Sequence, residues 1–374
     1  MLRKLKNIPR KKWILFAVAC FCTIVFLILM GIISVRGNSL PDQLEAQRWD
    51  PEGGAAQVGV YFSVDAGASP ETFQMLRYKL DKVLTDAGIE VEEDSSARLY
   101  ADAYCATGTM ELQYGKNHVS VDALGVSGDF FYFHPLDYLS GFSFAGDEIN
   151  QDYVIIDEHT AWQLFGGTNV AGMTITSGDK VLFVRGVYRE TESRLAKAAG
   201  LDAPLVFVSY DTLTEYGVSY GINAYEIVMP NPIRDFAVTK VKESLGMEDP
   251  YVELIDATSR FKVRHELSVL KNFGLRSMNA KAIIFPYWEN MARAMEDYIS
   301  VLLFIAGLFL IVAVVLFIYL IVSWWRHKGW GWQEKVAKLW NRWMDKNYQR
   351  KVDRAAKKRL AKEKAIDTKD EKDS

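Results

Sequence analysis

ISVLLFIAGLFLIVAVVLFIYLIV, residues 299–322, contains no charged side chain in 24 positions. A helix rises about 1.5 Å per residue, so this run covers about 36 Å, enough to cross a hydrocarbon core of about 30 Å with some tilt. It predicts a transmembrane helix over Ile299–Val322. The flanks fit that reading: Tyr298 on one side and Trp324 and Trp325 on the other suit the headgroup level, and Arg326 and Lys328 follow at once. The basic side is expected to face the cytoplasm.

A second apolar run, Trp13 to Val35, lies near the start, with Trp13 as its interfacial aromatic residue. It is preceded by Arg3, Lys4, Lys6, Arg10, Lys11 and Lys12, six positive charges that no acidic residue offsets. The run is longer than the h-region of a signal peptide and no A-x-A-like site follows it before Arg36, so an uncleaved anchor is expected. With both spans flanked by basic residues, the termini are expected in the cytoplasm of a two-pass cell-membrane protein, with the middle of the chain outside.

Charge supports this division. The chain carries −3 in total, but residues 1–12 carry +6 and residues 323–374 carry +8, which leaves −17 between them. An acidic outer domain of this kind is a poor match for nucleic acid, whose phosphates require a basic surface. Of three cysteines, Cys20 and Cys22 fall in the first apolar run and Cys105 stands alone, so no disulfide is expected within the outer domain.

The outer domain reads as α+β. After a linker over 36–56, marked by Pro41, Pro51 and Gly53-Gly54, Gln57–Val64 alternates as a strand does. Ser69-Pro70-Glu71 opens a helix whose Phe73, Leu76, Leu80, Val83, Leu84 and Ala87 recur at helical spacing before Gly88, and a strand is expected around Ile89–Val91. More than a hundred residues later, strands at Leu205–Tyr210 and Ala224–Met229, a helix over Pro232–Leu245 and a strand at Tyr251–Ile255 supply a second half-unit. The two halves predict a split ferredoxin-like layer with helices on one face of the sheet. In this division 57–91 and 201–258 form a membrane-proximal subdomain, 92–200 an inserted β-rich distal one, and 259–298 a stalk. Within the insert, Asp157 is expected to cap a helix ended by Gly166, and Thr174–Val187 reads as a hairpin turning at Ser177-Gly178-Asp179.

An ordered set of short motifs runs through this region. It comprises Gly125-Val126, Asp129-Phe130-Phe131, Gly141-Phe142-Ser143-Phe144, Val154-Ile155-Ile156-Asp157, Ala161-Trp162-Gln163-Leu164-Phe165-Gly166, Gly172-Met173-Thr174-Ile175 and Val184-Arg185-Gly186-Val187. Placed after a first apolar helix, the set resembles the extracytoplasmic core domain of MacB-type and related FtsX-like ABC transporter permeases, over about residues 13–325. Such permeases usually have four transmembrane helices and engage an ATPase through a cytoplasmic connection. The resemblance therefore implies a separate ABC ATPase and a fuller permease as partners of a two-span variant. The sequence contains no G-x-x-x-x-G-K-[ST] loop.

Between outer domain and second span, Phe285, Tyr287 and Trp288 suit either the outer membrane interface or packing beneath the domain, and Pro286 is expected to break or kink a helix. Beyond the span, in the tail 323–374, Trp332, Val336, Leu339, Trp340 and Trp343 recur at helical spacing, largely separated by Lys335, Lys338, Arg342 and Lys346. This pattern describes a basic amphipathic helix on membrane lipid, with a partner's helix as the alternative. His118, His134, His159 and His265 are scattered, with no metal-ligand spacing and no G-x-S-x-G or S-x-x-K motif, so neither a cofactor nor catalysis is expected. The expectation is a non-catalytic accessory or permease-like subunit of an ABC transport system. The alternative is a stand-alone anchored module that binds or senses a peptide or envelope protein.

Overall fold

The computed structural model describes residues 10–89, 98–146, 148–189, 193–201, 203–247, 249–276, 281–327 and 336–352. Residues 1–9, 90–97, Trp332 and the tail after 352 lie outside these, and with them most of the expected Ile89–Val91 strand. By compactness the chain divides into Met1–Ile24 with Phe309–Ser374, and Val25–Leu308.

In chain order the elements are α1 (Arg10–Gly37), α2 (Glu45–Trp49), β1 (Ala55–Phe62), α3 (Pro70–Asp86), β2 (Ala101–Tyr114), β3 (Asn117–Gly128), α4 (Phe130–Phe133), β4 (Tyr138–Gly141), β5 (Tyr153–Asp157), α5 (Glu158–Phe165), β6 (Thr174–Ser177), β7 (Lys180–Tyr188), α6 (Arg194–Ala198), β8 (Leu205–Ser209), α7 (Tyr210–Tyr216), β9 (Val218–Pro230), α8 (Phe236–Leu245), β10 (Val252–Asp256), α9 (Val263–Lys271) and α10 (Tyr287–His327). A further helix occupies 336–352. Helices α1 and α10 are both long and apolar enough to cross a membrane.

The strands form one mixed sheet in the order β10-β1-β9-β2-β3-β8-β5-β7-β4, with β6 bridging β2 and β7. At one end, β10-β1-β9-β2 are mutually antiparallel. Taken as β1-α3-β2 and β9-α8-β10, this end has the ferredoxin-like strand order 4-1-3-2, with its two halves separated by β3 to α7. The position expected for a strand at Ile89–Val91 belongs, among the described residues, to the longer β2. The strands β2, β3 and β9 carry the sheet without a break into the β-rich part, where β3-β8 and β5-β7 pair in parallel.

Strand β1 is buried along its whole length. Val58, Val60 and Phe62 pack with Phe73, Leu76, Leu80 and Leu84 of α3 on one face, while Ala55 and Tyr61 join Phe130, Phe133 and Trp288 on the other. A strand covered on both faces is apolar throughout, so the expected alternation is only partial. Helix α5 begins as its sequence predicts: Thr160 N donates to Asp157 Oδ2 at 3.1 Å, and Gly166 closes the helix at φ +75°. The hairpin β6-β7 pairs Ser177 with Lys180 across Gly178-Asp179.

Helix α10 starts twelve residues before the apolar run that predicts it. Pro286 does not break it but precedes its first turn, where its carbonyl accepts from Asn290 N at 3.1 Å. Of the two placements open to Trp288, the structure gives packing against the α+β domain, where the side chain is 1% exposed.

Candidate functional site at the root of α10

The first turns of α10 carry two patterns at helical spacing. Trp288, Met291, Ala292, Met295 and Ile299 form a buried apolar face; Trp288 joins the core of the sheet, and the other four meet Ile33, Leu40, Ala196 and Ala199. Glu289, Arg293 and Glu296 form a second, charged face. Both Glu289 and Glu296 are buried, a placement tolerated only when each carboxylate is paired and hydrogen-bonded.

Arg260, on the segment between β10 and α9, supplies that partner. Its Nη1 and Nη2 each donate to Glu289 at 2.6 Å in a two-pronged pair, and its Nε donates to Glu296 Oε1 at 2.6 Å. Gln43 Oε1 accepts a further bond from Nη1 at 3.1 Å, and Tyr61 OH donates to Glu289 Oε2 at 3.2 Å. Arg293 Nε reaches Glu289 at 2.7 Å, and Arg276 Nη2 reaches Glu296 at 2.5 Å. Burial opposes the Arg260 charge, but Glu289 foremost and then Glu296 hold its pKa above the ordinary arginine range. Beside them, burial and then the charge of Glu296 raise the Glu266 pKa to about 8, and neither of its carboxyl oxygens has a hydrogen-bond partner among the described residues.

A second buried cluster lies across Trp288. The Trp288 and His134 rings stand 4.3 Å apart, His134 Nε2 meets Glu226 Oε2 at 2.5 Å, and Asp42 Oδ1 lies 3.6 Å from His134 Nδ1. Burial works against a charged His134, yet Glu226 and then Asp42 raise its pKa to about 10. Glu45 Oε1 accepts from Arg48 at 2.9 Å, while Oε2 is buried without a hydrogen-bond partner among the described residues. Burial, followed by Glu226, outweighs the partly exposed Arg48 and raises the Glu45 pKa to about 8.

Both shifts have the same consequence for stability. A folded-state pKa above its unfolded value makes the native state bind more protons, so stability falls as pH rises. For Glu45 the loss runs from about 4.5 to about 8, and for His134 from about 6.5 to about 10. Glu45→Gln removes the ionisation and retains an acceptor for Arg48. It is expected to leave unfolding unchanged near pH 4.5 and to stabilise the chain by about 2 kcal/mol at pH 8. Urea midpoints at the two pH values check this; equal pH dependence of variant and parent would refute it.

Two cavities flank the root. One of about 800 Å³ is bounded by Phe62, Leu201, Ile222, Phe285, Tyr287 and Trp288, among others. The other, about 820 Å³, is charged, with Arg260, Arg276, Lys281, Arg293, Glu253 and Glu296 in its walls. Among the described residues no group of three or more His, Cys, Asp or Glu is placed to hold a metal ion.

Of the aromatic residues that the sequence assigns to the membrane interface, Trp13, Tyr298, Trp324, Trp325, Trp340 and Trp343 are each 48–60% exposed. Sequence reasoning missed the Arg260 network and the His134 cluster. A usable signal was present in Glu289, Arg293 and Glu296, spaced i, i+4, i+7 just ahead of an apolar span.

The chain thus defines a class: an α+β domain set between two helices long and apolar enough to span a membrane, its sheet core reaching into the root of the second. It belongs to the family of the MacB-like periplasmic core domain, whose model matches residues 18–250. A stretch of 110 residues is 29% identical to the macrolide export ATP-binding/permease protein MacB of Salmonella choleraesuis (strain SC-B67), covering 29% of this chain and 16% of that protein. The match to the MacB of Salmonella typhimurium has the same extent. The chain therefore aligns with about a sixth of these relatives' length. Similar solved structures include the extracellular domain of the noncanonic ABC-type transporter YknZ from Gram-positive bacteria (15% identity, 53% of this chain and 99% of that one, TM-score 0.35). The periplasmic region of MacB from Actinobacillus actinomycetemcomitans is another (12% identity, 60% and 94%, TM-score 0.37).

Proposed function

We propose that the chain is a non-catalytic accessory or permease-like subunit of an ABC transport system, its outer domain relaying movement or docking partners. The observation that carries this reading is the continuity of α10, one helix of 41 residues whose first turns are clamped inside the outer domain by Arg260 and Trp288 and whose later turns form the apolar run. A helix fixed in a packed core transmits displacement along its axis, because close-packed interiors do not yield gradually. In this reading α1 and α10 both cross the cell membrane, both termini lie in the cytoplasm, and the partners are a separate ABC ATPase and a fuller permease.

The 800 Å³ cavity beside Trp288 favours a second reading, a stand-alone binding or sensing module for an envelope protein or peptide. Purification of the tagged full-length chain in mild detergent, with mass spectrometry of co-purifying proteins, separates the two. An ATPase with a Walker loop is expected in the eluate. Repeated recovery of the chain alone, or with envelope proteins only, would overturn the subunit reading in favour of the module.

A further inference from the structure

Residues 336–352 form a helix whose apolar side chains no described residue covers. Val336, Leu339, Trp340, Trp343, Met344 and Tyr348 are 48–69% exposed. The first five recur at three- and four-residue spacing, which places them on one face, and the Trp340 and Trp343 rings stand 5.4 Å apart on it. Lys338, Arg342, Lys346 and Arg350 follow one another at four-residue intervals in a row that starts beside that face and reaches its edge toward the end of the helix, and Asp345 is the only acidic residue, so the helix carries +4 in 17 residues. Val336 lies nine positions after His327, where α10 ends, a tether of at most about 32 Å.

We infer that this helix is a membrane-surface element that binds the anionic lipid of the leaflet on the basic side of the second span. The inference rests on the reading of Ile299–Val322 as a span. The occupant follows from charge and side-chain chemistry. An exposed face of two tryptophans, Leu339 and Met344 suits the boundary between headgroups and acyl chains, where indole rings place their apolar body inward and their N–H toward water. The row of four cations lies where the phosphates of an anionic leaflet would be, and each lysine or arginine near such a surface adds to the attraction. The tether holds the helix at high local concentration against the bilayer, so modest intrinsic affinity suffices.

The test uses the full-length chain in nanodiscs of phosphatidylcholine alone or of phosphatidylcholine with one-third phosphatidylglycerol. Trypsin cleavage at Lys338, Arg342 and Lys346 is timed by mass spectrometry. Cleavage is expected roughly tenfold slower in the anionic discs, with most of the difference lost at high salt. Trp340→Gln with Trp343→Gln keeps every tryptic site and is expected to restore rapid cleavage in the anionic discs. Equal rates in the two lipids, or protection that appears only when another protein is added, would overturn the inference. So would equal protection in both discs that survives the double substitution. A chain that does not enter discs at all would refute the span, and this inference with it; one that enters but shows no lipid dependence refutes the inference alone.

Discussion

Arg260→Met is expected to cost about 3–5 kcal/mol of outer-domain stability, because it strands two buried carboxylates. Arg260, Glu289 and Glu296 are each no more than 3% exposed, and the arginine donates to both acids. Removing it leaves Glu289 with Arg293 and Tyr61, and Glu296 with Arg276 and His265. The two remaining arginines are partly exposed, so water competes for the charge they supply. Arg260→Lys is expected to lose less but not to restore the parent, since an ammonium cannot make the two-pronged contact with Glu289. The triple variant Arg260→Met, Glu289→Gln, Glu296→Gln is expected to recover most of the loss, because it removes the charges together with their partner. For a domain of this size the single variant corresponds to a Tm lower by about 10 °C. Thermal unfolding of the detergent-solubilised chain, followed by tryptophan fluorescence, distinguishes the outcomes. A triple variant no more stable than Arg260→Met would show that the cost lies in packing around the guanidinium stem, not in stranded charge.

Local signals in the sequence are strong where a single element decides the structure. Ser69-Pro70 and Gly88 bracket α3, Asp157 and Gly166 bracket α5, and Ser177-Gly178-Asp179 turns β6 into β7; each is a choice made within a few residues. The apolar run 299–322 is readable for the same reason. The strand at 101–114 carries no such local signal. Its ADAYCATGTMELQY has small residues where other chain elements approach closely, and that approach is a property of the assembled sheet. A Cβ on Gly108 would stand 2.2 Å from the Val218 carbonyl oxygen, at a point where the β2-β9 register shifts. The candidate site was equally hidden, because its parts are far apart in sequence. Asp42, His134, Glu226 and Trp288 meet only once the segment after α1, α4, β9 and α10 are in place. Read singly, His134 is one scattered histidine and Arg260 one cation in a charged stalk; what makes them a site is burial, which pattern alone does not reveal.

Trp288→Ala is expected to have an effect of the same size, about 3–5 kcal/mol, by a different mechanism. The indole is the largest fully buried side chain in the molecule's described residues, and it packs on His134 at 4.3 Å, Tyr287 at 5.0 Å and Phe130 at 5.9 Å. Its loss opens a cavity where the sheet core meets the root of α10, next to a space of about 800 Å³. The damage should therefore be local before it is global. Amide hydrogen exchange is expected to speed up most in the first turns of α10 and in α4, and less in the α3 side of the sheet, whose core is a separate cluster. Trp288→Phe keeps most of the apolar surface and removes the indole N–H, which is buried without an acceptor among the described residues, so it is expected to cost much less. If exchange in Trp288→Ala accelerates evenly across the domain, Trp288 is an ordinary core residue. Faster exchange confined to α10 and α4 identifies it as the contact that fixes the helix to the domain.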